Sequence, residues 1–181
     1  MTDHELIPGV ALNALGASER LMIGGLRLIA AGRGRCPNLT RALESHLGSQ
    51  GAIAARGATL LAHSLCSESQ RKLTLGWLCV RGVTWDEVAV LAMLEAAQRA
   101  QSKEIARWLT RLGIDAPSRV LQRGIAWSAA AFEVAGKPFD PDIASLTRAR
   151  TTPSGHLRDQ IETQMQRYTA TPVFRPMMRG E

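Results

Sequence analysis

The run from Thr84 to Ala100, Thr-Trp-Asp-Glu-Val-Ala-Val-Leu-Ala-Met-Leu-Glu-Ala-Ala-Gln-Arg-Ala, constrains this chain more than any other stretch. It opens with a capping box: the Thr84 hydroxyl can accept from the amide of Glu87, while the Glu87 carboxylate reaches back to the amide of Thr84. An unbroken apolar run from Val88 to Leu94 follows, and its length alone would also suit a buried strand. The cap, the alanine content and the continuation to Ala100 decide for a helix. A helix apolar on nearly every side has to lie in the middle of something.

Composition agrees with an all-α fold. Aromatic residues make up only 4% of the 181 residues, and half of them are tryptophan, whereas hydrophobic residues make up 45%. A core rich in Ala and Leu is what close helix packing prefers. The net charge of +6 is unevenly spread, since residues 20–81 hold nine basic residues against Glu44 and Glu68. Such a basic half can meet nucleic acid, an acidic protein or a membrane surface, or simply keep the protein in solution. Three cysteines, Cys36, Cys66 and Cys79, with no CxxC pair, argue against a disulfide scaffold or zinc ribbon. The acidic start, Met1 to Glu5, lacks the order of a signal peptide, and no apolar stretch approaches a membrane span. The expectation is a cytoplasmic protein with no membrane association.

Taken in order, residues 1–17 contain Pro8, Gly9 and Gly16 and read as a flexible arm. Residues 18–136 read as a single bundle of five or six helices. Ser18 is the expected cap of the first, with Met22, Leu26 and Ile29 on one stripe, and Pro37 opens the second, which stops at Gly48. The third runs from about Ser49 to Ser67 with Ile53, Gly57, Leu60, Leu61, Ser64 and Leu65 inward. Alternation and glycines between Arg71 and Val83 suggest an extended excursion, with room for a short hairpin near 72–80. After the central helix, Ser102 is the expected cap of a helix ending at Gly113. The last helix carries Val120, Leu121, Gly124, Ile125, Ser128 and Phe132 inward and ends at Gly136. Residues 137–181 read as an appended segment, expected to hold a short polar helix and a proline-flanked tail.

Tests for chemistry return little. The chain has no GxxxxGK[ST], GxSxG or HExxH, and Gly32-x-Gly34 follows a helix where a dinucleotide site needs a strand. His63 and Cys66, three apart on a helix, are the best metal candidates, but a site needs two further ligands from elsewhere. No cofactor is expected. Glu87 belongs to the cap and Glu95 suits an ion pair with Arg99, so no acid–base pair stands without a structural duty. Arg33, Arg35 and Arg41 cluster around the Cys36-Pro37 turn and could grip phosphates, although an Arg-rich loop that keeps the turn in water is the favoured reading. Trp77 and Trp85 flank a loop, where they either seal the end of the bundle or anchor a partner. In the tail, Val173, Phe174, Met177 and Met178 are apolar residues set among prolines, suited to docking on this domain, a second copy or another protein.

The helix at Arg20-Leu21-Met22, the segment Arg71-Lys72-Leu73-Thr74-Leu75-Gly76 and the helix start Val83-Thr84-Trp85-Asp86-Glu87 together resemble small helical proteins of alphaproteobacteria without an assigned activity. The resemblance spans about residues 19–97. It implies a compact helical domain of bacterial source and carries over no catalytic residue. The first functional expectation is therefore a non-enzymatic interaction or regulatory protein that binds a partner through the tail and the Trp-bearing loop. Nucleic-acid binding through the basic half is the alternative, and a metal or small-molecule enzyme the second alternative.

Overall fold

The computed structural model describes residues 6–33 and 37–139. The expected all-α architecture is present. Among the described residues six α-helices succeed one another: α1 (Ala17–Leu28), α2 (Pro37–Leu47), α3 (Gly51–Glu68), α4 (Trp85–Gln98), α5 (Ser102–Arg111) and α6 (Arg119–Val134). Helix α4 is the axis. Every residue from Asp86 to Ala96 is buried, and Val88, Leu91, Met93 and Leu94 have no exposed surface. Both halves of its capping box form, with Glu87 N donating to Thr84 Oγ1 at 3.2 Å and Thr84 N donating to Glu87 Oε2 at 2.9 Å. Around it pack α1, α5 and α6, while α3 lies along α6 in the most extensive helix–helix contact. The α3–α6 contact is close because glycines line it: a Cβ on Gly57 would sit 2.7 Å from the backbone nitrogen of Ser128, and one on Gly124 2.7 Å from that of Leu61.

Several local expectations give way. Residues 6–15 are tied in where a flexible arm was expected. Leu6–Ala11 forms strand β1, antiparallel to β2 (Gly82–Thr84), and Ile7 and Leu15 are buried. The register shifts between Leu6↔Thr84 and Ala11↔Gly82, across a stretch containing Pro8, which has no N–H for the ladder. Residues 72–80 form no hairpin. They run without regular structure to a turn closed by Val80 N donating to Trp77 O at 3.0 Å, and the strand pairing of β2 goes instead to β1.

Ser18 and Ser102 do not cap: α1 starts after Gly16 and α5 after Gln101, neither with a side-chain cap. Ile53 and Val120, expected inward, are 43% and 51% exposed. The glycine-lined contact draws the α3 and α6 backbones together, so it is too narrow to cover positions at its margin. The body also continues past Gly136. Phe139 is buried against Phe132 (ring centroids 4.6 Å apart), and its amide donates to Gln98 Oε1 at 3.1 Å.

Candidate functional site

Residues 69–84 cross the end of the bundle without regular structure until β2, and the first turn of α4 holds them from two sides. Glu87 and Arg27 form an ion pair with side chains 0% and 1% exposed. The pair is bidentate, Arg27 Nε to Oε1 at 2.6 Å and Nη2 to Oε2 at 2.8 Å. The remaining Arg27 donors turn to backbone carbonyls: Nη1 to Trp77 O (3.3 Å) and Val80 O (2.7 Å), Nη2 to Gly82 O (2.7 Å). Glu87 in turn accepts from the amides of Gly76 (2.9 Å) and Thr84. All five guanidinium N–H groups and all four carboxylate acceptor positions are used.

A buried ion pair roughly breaks even against apolar residues of the same size. What apolar residues could not replace is its grip on three carbonyls and two amides of one turn.

Asp86 makes the second attachment. It accepts from Arg71 at Oδ1 (2.5 Å) and Oδ2 (3.1 Å) and from the amide of Thr74 (2.6 Å), while Thr84 Oγ1 donates to Thr74 O (2.7 Å). Arg71 also donates to Arg111 O at the end of α5. Its hydrogen bond to Asp86 raises the guanidinium pKa above the ordinary arginine value, against the opposing effect of burial. The turn at the far end of this clamp presents apolar side chains to solvent, Trp77 at 66% and Leu78 at 45% exposure. Trp85 behaves differently: it is half-buried and packs against the core. Of the two tryptophans, Trp85 seals the bundle and Trp77 faces outward.

The other candidates separate. Arg33 and Arg41 are exposed, Arg33 where α1 runs out through a π-turn and Arg41 on α2; Arg35 lies outside the described residues, as do Val173, Phe174, Met177 and Met178. His63 and Cys66 are both exposed on α3. Among the described residues no three His, Cys, Asp or Glu side chains gather as a metal site. Ser18 and His46 form a hydroxyl–imidazole contact of 3.2 Å, but Ser18 donates its proton to Lys137 O at 2.9 Å. The imidazole must then donate to the hydroxyl, which is the reverse of nucleophile activation. This contact ties α1 to α2 and to the end of α6.

A groove of about 610 Å³ lies between α5 and α6, with an apolar floor that includes Ile105, Leu109 and Ile125 and with Asp115 and Glu133 at its edge. Arg27 is the residue that sequence reasoning missed. The available signal was an arginine set in the otherwise apolar run from Leu21 to Ala31. Among the described residues no helix is long and apolar enough to cross a membrane. Compared with known proteins, the chain matches no family model, no curated protein and no solved structure.

Proposed function

We propose that this chain is a non-enzymatic interaction protein that engages a partner protein through the turn bearing Trp77 and Leu78. The observation that supports this most is the clamp: Arg27 and Glu87, both buried, are spent on the backbone of a turn whose side chains are exposed and apolar. A turn held in this way loses little conformational freedom on binding, so more of the contact energy appears as affinity. Tryptophan is also the residue type most enriched where binding energy concentrates. The tail residues Val173, Phe174, Met177 and Met178 are the second proposed contact with that partner. Exposed free thiols at Cys66 and Cys79 suit a reducing compartment, and we place the protein in the cytoplasm.

Nucleic-acid binding by the basic half receives less support, because two of the nine basic residues there, Arg27 and Arg71, are engaged by Glu87 and Asp86. The test of the first reading is a photo-crosslinking residue at Leu78, with Ala52 on α3 as the exposed control. A discrete protein adduct from position 78 that disappears with Trp77→Ala is the expected result. Equal labelling from both positions, or labelling indifferent to Trp77, would refute it.

A further inference from the structure

Helices α3 and α6 run antiparallel at their glycine-lined contact, Gly57 facing Ser128 and Gly124 facing Leu61. The outer margin of that contact is open: Ile53 is 43% exposed, Val120 51% and Val134 69%. A step of seven residues returns to within about 20° of the same helix face, so Val120, Trp127 and Val134 share one stripe of α6. Ile53 and Leu60 share another on α3. The two stripes meet at Trp127, whose ring has the Arg56 guanidinium of α3 at 5.6 Å and that of Arg123 at 5.7 Å. Neither arginine has an ion pair among the described residues. The carboxylates of these helices are engaged or placed elsewhere. Glu68 accepts from the amide and hydroxyl of Ser118, and Glu133 edges the groove beside α5.

We propose that this face docks an acidic amphipathic helix of a partner protein. Its apolar residues, at heptad spacing, would lie along the two stripes, and its carboxylates would reach Arg56 and Arg123. The cations sit at the centre of the apolar seam, so a carboxylate arriving there meets charge that the protein itself leaves uncompensated. A second copy is disfavoured, because a two-fold contact through this face would bring four guanidinium groups together. Nucleic acid fits less well, since Ile53, Val120 and Val134 offer nothing to a phosphate backbone. The proposal is independent of the Trp77 turn.

The test uses the full chain and three-heptad synthetic helices with Leu at the seam positions and either Glu or Lys flanking them, titrated by fluorescence anisotropy. The Glu helix is expected to bind, more weakly as salt rises, and the Lys helix to be ignored. Replacing Arg56→Glu with Arg123→Glu should cost about tenfold or more in affinity for the Glu helix and transfer binding to the Lys helix, with circular dichroism unchanged. Val134→Glu should also weaken the Glu helix, and Trp77→Ala should leave it untouched. Equal affinity for both helices, or binding of neither, overturns the proposal. So does dimerisation through this face in sedimentation, or an oligonucleotide that binds more tightly than the Glu helix.

Discussion

Replacing Glu87 by Gln tests the clamp with almost no change of shape. Four donors converge on the carboxylate: Arg27 Nε and Nη2 and the amides of Gly76 and Thr84. A glutamine oxygen can accept from two of them. Its NH2 group then faces the other two, donor against donor, while Arg27 remains buried as a cation with no counter-charge. Removing one partner of a buried ion pair costs about 3–5 kcal/mol, and the strained donors place this site in that range rather than below it. For a domain of this size the melting temperature should fall by roughly 6–20 °C. Urea unfolding followed by circular dichroism reads the loss as a lower midpoint with the slope unchanged. A loss under about 1 kcal/mol would mean that water reaches the pair, and the argument that it is a dry, fully satisfied knot would be wrong.

Glycine substitutions should act with opposite signs. Gly24→Ala, mid-helix with nothing within 4 Å of the added carbon, should stabilise by up to about 1 kcal/mol in thermal melts. Gly124→Ala, against the Leu61 backbone, should destabilise by about 1–3 kcal/mol although alanine is the better helix former. Thr84→Ala removes the cap of α4 and the bond to Thr74 O, and chemical denaturation should show a loss of about 1–2 kcal/mol. Ser128 Oγ is buried at the α3–α6 contact with no hydrogen-bond partner among the described residues, so Ser128→Ala should leave stability unchanged or raise it by up to ~1 kcal/mol. A clear loss on that substitution would show that the hydroxyl is satisfied after all.

Local signals read well in this chain, and the failures share a cause. The capping box of Thr84 and Glu87, the start of α2 at Pro37 and the stops at Gly48 and Gly113, both with positive φ, depend on residues a few positions apart. Arg27 depends on a carboxylate 60 residues away, and without that partner it reads as an interruption of the apolar run from Leu21 to Ala31. Strand β1 is legible only through its pairing with Gly82–Thr84, because Pro8 and Gly9 argue locally for a loop. Ile53 and Val120 have the right spacing for a core stripe. Whether they are covered depends on how closely two backbones approach, which a helical pattern does not encode. The outward placement of Trp77, the feature that matters most for the candidate site, follows from the same long-range clamp.

The two duties of Arg27 and Glu87, holding each other and holding the turn, can be separated. Replacing both, Arg27→Met with Glu87→Leu, keeps the volume apolar and removes both buried charges, an exchange that is often neutral or favourable for a buried pair. Here it would also strip Trp77 O, Val80 O and Gly82 O of their donors, and the amides of Gly76 and Thr84 of their acceptor. The three carbonyls are part-buried and the two amides buried, so the turn has to open for water to reach them. The double variant should therefore be more stable than Glu87→Gln while losing the turn. Hydrogen exchange should accelerate across residues 76–84 and remain slow in α4. Crosslinking from position 78 should weaken in the double variant even though Trp77 and Leu78 are unchanged. If the turn kept its protection without the pair, the ion pair would be a core feature only, and the case for a preorganised binding turn would lose its physical basis.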